Sequence, residues 1–456
     1  MRVRSTRQPY LSLCAPSSTT KVVVEYCGKY EAINQILLDN PALLDCAHAE
    51  FVIWLSDSED GRESVYTSEE LLRTLVVLFI EGDSYRGVVI RVETCEFLRT
   101  FIGFGICKPM MNFGLVSKAF SALSEKTWQT MNELLGRYAR SEGKITGDKA
   151  RIDTTAYEAN IHYPTDSSLL WDSYRVLSRL LQELQQQYPE LNLNHRYHGD
   201  KVKKLAQSIA RNAGSKSKSK QKMVKAWYRT LLERVRAIVE NAHNVKPVSS
   251  STLVAVVVLD HFTVLAERVI DQAHRRIILG EQVPADEKLY SLFEEHVELL
   301  IRGKAGKPIE FGHMLVLMQS SEKFITYYRC LPKREEDPAL IDEALKAHRK
   351  LFEDALNGLA ADKGFYKSVD QLATLEKTIE TVSICKKGRL TQEQREREHT
   401  EDFEEGQRFR AGIEGSISVL KRAFKLNRCL FKGFKNFAAS VGCAIFCHNL
   451  VLLTRL

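Results

Sequence analysis

The sequence predicts a mixed α/β domain carrying a large helical insertion and preceded by an all-helical N-terminal domain. Stretches rich in β-branched and aromatic residues, typical of strands, occur at 144–161, 307–319 and 322–331. The helical periodicity of 165–305 separates the first of these stretches from the others. We therefore expect a sheet whose first strand is separated from its partners by the insertion.

Composition and charge indicate a globular chain with a polyanionic partner. The chain has 456 residues, of which 44% are hydrophobic and 27% charged. This composition excludes a disordered tail, a collagen-like fibre and a small disulfide-rich protein. The net charge of +7 is unevenly distributed: 201–225 carry nine Lys or Arg and no acid, and 408–435 carry eight against one Glu. Two basic patches of this kind favour binding to a polyanion such as nucleic acid.

The cysteines and the apolar C-terminal segment favour a cytoplasmic protein without a membrane partner. The ten cysteines are scattered and form no CxxC pair, as expected of reduced thiols. Cys443 and Cys447 fall on one side of a helix, where small core residues are expected. Segment 437–453 is apolar but interrupted by polar residues, so a buried terminal helix is favoured over a membrane span.

The N-terminal domain is predicted at 1–140. Thr67 followed by Glu70 forms a capping box before an apolar helical run, and Ser124 precedes a second helix. No recognition helix stands out. A scaffold or dimerisation domain and a DNA-binding domain therefore both remain open.

The α/β domain is predicted to comprise 141–164 and 306–456. After the insertion, two strands are followed by a helix at 338–356, a short strand running into Asp362, a helix at 369–376, a strand at 378–388, and helices at 404–424 and from 435 onward. Without the insertion, the order is β, β-β-α-β-α-β-α-α.

The insertion, 165–305, is predicted to be almost wholly helical, including the segment 287–303. A basic low-complexity loop, GSKSKSKQK, joins two of its long helices. This loop lacks aromatic residues for base stacking and suits sequence-independent phosphate contact, with a solvated surface loop as the alternative. Its cations are Lys216, Lys218, Lys220 and Lys222.

Three carboxylates stand where the α/β domain can bring them together. Asp153 lies in the first strand, Asp362 follows a short strand, and Glu414 lies in a helix after the last strand. Converging carboxylates suit Mg²⁺, which prefers oxygen ligands, and two such ions can support phosphodiester chemistry. Any one of these acids alone is weak evidence, since a strand-end Asp is commonly a turn or cap residue.

The helix around Glu414 strengthens this hypothesis. At about 100° per residue, Gln407, Arg410 and Lys421 fall within roughly 40° of Glu414, on one face. An apolar stripe runs beside that face, which allows the helix to pack on a sheet. The stripe consists of Ile413, Ile417, Leu420 and Phe424. The two cations suit phosphate contacts beside a metal ligand.

Other polar residues compete for these roles. Asp260 ends the apolar run LVAVVVLD and is an alternative first ligand, but Asp153 is favoured because helical periodicity continues past Asp260. Asp166 is an accessory ligand by proximity or, as we favour, a helix N-cap. His162 and His313 can touch metal or phosphate, although ordinary polar or core roles are favoured.

With Asp153 in RIDTTAYEANI, Asp362 in ADKGFY and Glu414 in RFRAGIEGSISVLKRAF, the chain resembles the DDE transposases of bacterial insertion sequences. Members of that family have an RNase H-like catalytic domain. Their last motif is commonly Tyr, Arg three residues on, Glu four further and Lys seven further. Arg410, Glu414 and Lys421 match this spacing, whereas Gln407 stands where Tyr is usual.

The resemblance implies a DNA transposase. It implies hydrolysis at element ends by a metal-activated water, then attack of the freed 3′-hydroxyl on target DNA. Asp153, Asp362 and Glu414 would hold two Mg²⁺ ions, for which Mn²⁺ can substitute, and Arg410 and Lys421 would hold DNA phosphates. A homodimer associated with the bacterial nucleoid, needing no small-molecule cofactor, is also implied. The alternatives are a catalytically inactive, transposase-derived DNA-binding protein and an RNase H-like nuclease without strand transfer.

Overall fold

The chain combines long helical stretches with a mixed sheet. The computed structural model describes residues 1–5, 13, 17–55, 63–105, 108–193, 195–304, 307–353 and 356–456. The prediction of a mixed α/β chain is confirmed. By packing, residues 1–158 and 313–456 form a first compact unit, and 159–312 a second.

In the part of the chain that the structure describes, seven helices precede the first strand and pack within the first unit. The predicted capping box is confirmed, since Thr67 Oγ1 accepts from Glu70 N and the Glu70 carboxylate accepts from Thr67 N. Ser124 caps the seventh helix. A separate domain at 1–140 stays a prediction. These elements are α1 (Lys21–Asp39), α2 (Pro41–Trp54), α3 (Ser68–Ile80), α4 (Tyr85–Thr94), α5 (Glu96–Ile102), α6 (Phe113–Ala122), α7 (Glu125–Ser141) and β1 (Lys149–Ala159).

The second unit is mainly helical. Its helices share one apolar core, with Leu177, Leu231 and Val269 among the buried residues. The predicted boundary between 305 and 306 lies outside the described residues. The elements that follow β1 are α8 (Asp166–Gln187), α9 (Gly199–Asn212), α10 (Lys218–His243), α11 (Ser250–Ala273), β2 (Glu298–Lys304) and β3 (Lys307–Ser320).

The predicted helix at 287–303 is wrong. The chain has no helix between 281 and 297, and β2 then pairs antiparallel with β3. Leu289 is buried among the helices, where its backbone N–H and C=O bond the side chain of Gln272 instead of a helical turn. Side-chain burial and strand pairing thus outweigh helix propensity here.

The rest of the first unit follows the predicted order closely. The helix predicted at 369–376 is confirmed, and the one predicted at 338–356 is shorter, preceded by a 3₁₀ turn at Asp337–Leu340. The elements are β4 (Ile325–Cys330), α12 (Ile341–Phe352), β5 (Gly358–Ala361), α13 (Val369–Glu376), β6 (Thr381–Ile384), α14 (Gln392–Glu398), α15 (Glu401–Ala423), β7 (Arg428–Cys429) and α16 (Phe434–Leu453).

The sheet of the first unit has the strand order β4-β3-β1-β5-β6, with β7 beside β1. Strands β1, β5 and β6 are mutually parallel, whereas β3 and β4 run antiparallel to each other. Ile152 lies opposite Ala361, and Ala361 lies opposite Ile384. The sheet therefore brings the chain segments that follow β5 and β6 to one edge, beside the middle of β1.

Helix α16 lies in the core of the first unit. This helix is long and apolar enough to cross a membrane. Nearly all of its side chains are nevertheless buried against neighbours such as α7, α3 and β4. The predicted buried terminal helix is confirmed, and so is the burial of Cys443 and Cys447. The polar Asn449 is satisfied there: its amide bonds Ile325 N and O at 3.0 and 2.9 Å and Asn132 Oδ1 at 2.8 Å.

Gly442 allows α16 to approach α7 closely, and its replacement by Ala is predicted to destabilise the protein. A Cβ there would lie 2.5 Å from Trp128 Cβ and 2.6 Å from the Tyr328 hydroxyl oxygen. We expect Gly442→Ala to lower the free energy of unfolding by ~2 kcal/mol, because a packed core cannot absorb the clash without a helix shift. Urea denaturation measures the effect.

Gly28→Ala is the matched control, since a Cβ at this position would have no other atom within 4 Å and Gly28 also sits inside a helix. This substitution should raise the free energy of unfolding by ~0.5–1 kcal/mol through helix propensity. Equal effects of the two substitutions would contradict the close-packing argument.

Candidate active site

Strand β1 directs Arg151 and Asp153 toward helix α15. Because side chains alternate along a strand, these two residues lie on the face opposite Ala150 and Ile152, which belong to the apolar core under the sheet. Asp153 Oδ1 accepts a hydrogen bond from Thr154 N at 2.7 Å. The Asp153 carboxylate is thereby partly oriented by its own backbone.

Asp362 comes directly after β5, the parallel strand next to β1. Ile152 and Ala361 are paired, so Asp153 and Asp362 each lie one residue beyond a paired position, on strands about 4.8 Å apart. Asp362 caps the 3₁₀ turn Lys363–Phe365, and its Oδ1 accepts from Gly364 N at 2.7 Å. The backbones of Asp153 and Asp362 therefore lie side by side at the carboxyl end of β5.

Glu414 lies on α15 and is linked to Asp153 through Arg410. Arg410 Nη1 is 3.3 Å from Glu414 Oε1 and 3.9 Å from Asp153 Oδ2. The two carboxylate oxygens can be no farther apart than the sum of these distances. This is inside the roughly 10 Å within which carboxylates can share two ions about 3.5–4 Å apart.

The positive charge between these two acids is the Arg410 guanidinium. In the described part of the chain, no three His, Cys, Asp or Glu side chains are close enough together to hold a metal ion. The side chains are nevertheless of the kind that a hard cation prefers, because they offer carboxylate oxygens, and two of them already lie beside one positive group. A divalent ion would require Arg410 to move aside.

A buried hydrogen-bond network holds α15 against the sheet. The Arg151 guanidinium donates to Phe409 O at 2.6 Å and to Gln319 Oε1 at 2.7 and 2.9 Å. Ser416 Oγ donates to the same Gln319 oxygen at 3.1 Å. A Cβ on Gly412 would overlap the guanidinium, so this approach requires glycine. Burial lowers the pKa of Arg151.

The side chain of Gln407 hydrogen-bonds α15 to the carboxyl ends of β5 and β6. Its Nε2 donates to Ser383 O at 2.6 Å and to Ala361 O at 3.2 Å. The residue that replaces the family's usual Tyr therefore has a definite structural contact beside Asp362.

The predicted apolar stripe of α15 is confirmed in its main members. Ile413, Leu420 and Phe424 are buried, and Ile417 is half-buried. Arg410 is mostly covered, with 22% of its side chain exposed, whereas 65% of the Glu414 side chain is exposed. Lys421 is half-buried and makes contacts within the protein. The helix thus buries one side and keeps Glu414 at the rim, as predicted from its periodicity.

Sequence reasoning missed Asp337. Its carboxylate faces Asp362 and is hydrogen-bonded to the Thr154 side chain. Burial raises the pKa of Asp337, and the neighbouring Asp362 raises it further. The signal was available but ambiguous, because an Asp immediately before Pro338 at a predicted helix start is typical of an N-cap.

The competing acids lie in the second unit and have other partners. Asp260 is an exposed residue of α11, so the strand-end alternative is wrong. The favoured N-cap role of Asp166 is also wrong: Thr165 caps α8, and Asp166 Oδ2 accepts from Arg276 Nη1 at 2.8 Å. Burial raises the pKa of Asp166, opposed by the charge of Arg276.

The two histidines have ordinary roles. His313 is fully buried, where its Nδ1 lies 2.9 Å from Leu331 O and its ring contacts Phe434 and Phe437. His162 is exposed, with Nε2 3.5 Å from Asp172 Oδ2.

The basic segment of the second unit is exposed, but only part of it is a loop. Lys216 lies in the turn between α9 and α10, whereas the other three lysines lie in the first turns of α10. The predicted loop is therefore shorter than expected. The lysines that α10 carries are Lys218, Lys220 and Lys222.

Comparison with known proteins finds one family, over the C-terminal part of the chain. Residues 372–454 match the family model described as transposase DDE domain. No curated protein and no solved structure matches the chain significantly. The matched segment contains β6, α15 with Arg410, Glu414 and Lys421, and α16. Through this segment, the resemblance of the chain to the DDE transposases is confirmed.

Proposed function

We propose that this chain is a DNA transposase that cuts the ends of an insertion sequence and joins them to target DNA. The supporting observation is that Asp153 and Glu414 face one positive group, beside Asp362, in a chain whose residues 372–454 match a transposase DDE domain. The reaction comprises metal-dependent phosphodiester hydrolysis followed by strand transfer.

The proposed catalytic domain is RNase H-like. The mixed order β4-β3-β1-β5-β6 supports this type, because Asp153 and Asp362 belong to neighbouring parallel strands and α15, which carries Glu414, packs on β5 and β6. Ligands of open sheets with parallel strands commonly bind beyond the carboxyl ends of those strands. Asp362 lies at such an end.

Asp153, Asp362 and Glu414 are the proposed ligands of two Mg²⁺ ions, with Mn²⁺ as a substitute. When bound, such ions stabilise the charge that develops on the attacking and leaving oxygens of a phosphodiester. The protein's own contribution is orientation. Thr154 N and Gly364 N each fix one oxygen of an aspartate, and the Arg151 and Gln407 contacts set the height of α15 over the sheet.

Arg410 changes partners in this proposal. Its guanidinium lies beside Asp153 and Glu414, and if a metal ion neutralised those carboxylates it would be available to a DNA phosphate, for which its planar fork is suited. Lys421, on the same face of α15, adds a second cation.

The lysines of the second unit are proposed to contact DNA phosphates without reading sequence. They are exposed, they face no acid within 201–225, and they lie at the start of α10, whose helix dipole adds positive potential. Since two element ends must be brought together, we propose that the active form is a homodimer.

The first test removes the proposed ligands. We expect Asp153→Asn, Asp362→Asn and Glu414→Gln each to reduce Mg²⁺-dependent cleavage of element ends by at least ~1,000-fold while DNA binding survives, because each change removes a charged oxygen ligand. Gel assays of nicking and of binding measure the two effects separately.

Asp260→Asn is the matched control and should cleave normally. Full cleavage by any of the three variants would contradict the site. A wild-type protein that binds but never nicks would indicate an inactive DNA-binding protein, and nicking without joined products would indicate a nuclease.

The second test concerns the basic segment. Replacing Lys216, Lys218, Lys220 and Lys222 by Ala should make the plot of log affinity against log salt shallower by up to ~3–4 units, since each phosphate contact contributes about 0.9. Fluorescence anisotropy over a salt series measures the slope. The fourfold Lys→Arg variant keeps the charge and should keep the slope, whereas an unchanged slope in the Ala variant would indicate a solvated surface.

The third test concerns Gln407. Gln407→Ala should lower the free energy of unfolding by ~1–2 kcal/mol and slow end cleavage, because two backbone carbonyls lose their donor and α15 loses its attachment beside Asp362. Thermal unfolding and single-turnover cleavage measure the two effects. Gln392→Ala, at an exposed glutamine, should change neither; cleavage as fast as wild type in Gln407→Ala would argue against a positioning role.

A further inference from the structure

Helix α11 has two apolar faces. One is buried in the helical core of the second unit, where it includes Val256, Leu259, Ala266 and Val269. The other is exposed to solvent and covers an arc of roughly 140° on the helix, at ~100° per residue. The exposed apolar residues on α11 and just before it are Val248, Leu253, Val254, Val257, Val258 and Val264.

Segment 253–259 is apolar on every side. Its sequence is LVAVVVL, and yet Val254 and Val257 are 70% and 56% exposed. A helix that is apolar all round is normally buried all round, because contact between apolar side chains and water costs free energy. The exposed face of α11 therefore has the character of a surface that another protein surface covers.

The size of this face suits the centre of a protein–protein interface. Its apolar side chains are about half exposed and offer on the order of 200–350 Å² of apolar area per copy. A stable interface buries ~800 Å² per partner, of which ~65% is apolar in homodimers. The face thus supplies roughly half of the apolar area that a homodimer needs, concentrated where the core of an interface lies.

The polar side chains on this face do not suit a DNA phosphate. Between Leu253 and Val264 the titratable residues are Asp260 and His261. Asp260 is an exposed acid, and His261 Nε2 lies 3.0 Å from Glu295 Oε1. Because the segment has no lysine or arginine, the face offers a polyanion no strong cation and suits an apolar surface such as its own.

The pattern of exposed residues is also self-complementary. In a twofold-symmetric dimer the same patch faces itself, and an axis perpendicular to α11 makes the two copies antiparallel. Val248 and Val264 lie equally far in sequence from Val256, at the middle of the face. Val248 is held at the start of α11, because its N–H donates to Thr252 Oγ1 at 3.0 Å. Antiparallel pairing about this midpoint places Val248 beside the partner's Val264, and Val257 close to the axis.

We propose that the exposed apolar face of α11 is the interface between two copies of this chain. This inference rests on the proposed function, in which two element ends must be brought together. It assigns the pairing of the two copies to the second unit. Removal of the exposed valines and Leu253 from water is the main favourable contribution to association.

The first test measures the mass of the full-length protein by sedimentation velocity over a range of concentrations. Wild-type protein should be a dimer, and Val257→Glu should raise its dissociation constant at least ~100-fold, because symmetry brings two like charges together near the axis. Since Val257 is more than half exposed, the glutamate reaches water in the monomer. Circular dichroism should therefore show the helix content of the wild type.

Val369→Glu is the matched control, because Val369 is 53% exposed, begins α13 in the first unit and undergoes the same change. This variant should dimerise as tightly as wild type. The proposal is overturned by a monomeric wild-type protein, by undiminished dimerisation of Val257→Glu, or by equal weakening in the two variants.

Cross-linking gives a second readout that does not depend on a loss of affinity. A short bis-maleimide should join two copies of Val257→Cys, whereas Val369→Cys should give only the wild-type background. That background should be low, since the cysteines that the structure describes are buried or half-buried. Equal yields from the two cysteine variants would contradict pairing through α11.

Cleavage assays separate this inference from the proposed function. A wild-type protein that dimerises through α11 but never nicks element ends would overturn the proposed function and leave the interface standing. If the wild type cuts and joins element ends while Val257→Glu dimerises normally, only the interface is overturned.

Discussion

The arrangement of the candidate site depends on the buried guanidinium of Arg151. It projects from β1, donates to the backbone of α15 at Phe409 O, and shares the Gln319 amide oxygen with Ser416. A buried charge is costly unless its hydrogen bonds are satisfied, so this network has little freedom to rearrange. Because Asp153 lies two residues along β1 and Arg410 follows Phe409, the network also sets the distance between these two side chains.

Charge balance is the second constraint. Asp153 and Glu414 share the single positive charge of Arg410, whereas Asp337 and Asp362 lie near each other with Lys387 and Arg334 close by.

Much of the first unit was predictable because its signals are local. Alternation located β1, caps located α3 and α7, and the periodicity of α15 placed Glu414 beside an apolar stripe that is indeed buried. The predictions failed where tertiary contacts replaced local ones. Segment 287–303 forms no helix because Gln272 and strand pairing satisfy its backbone, and Asp166 pairs with Arg276, more than one hundred residues away in sequence.

The sequence by itself determined the order of elements, the uneven charge and the motif of Arg410, Glu414 and Lys421, since each depends on residue type and spacing along one segment. Only the tertiary structure decided which acids meet. The approach of Asp337 to Asp362 requires two turns joined through Gly364, and the contact of Gln407 with β5 and β6 requires the parallel register of those strands. Such contacts depend on the geometry of packing, which no single stretch of sequence contains.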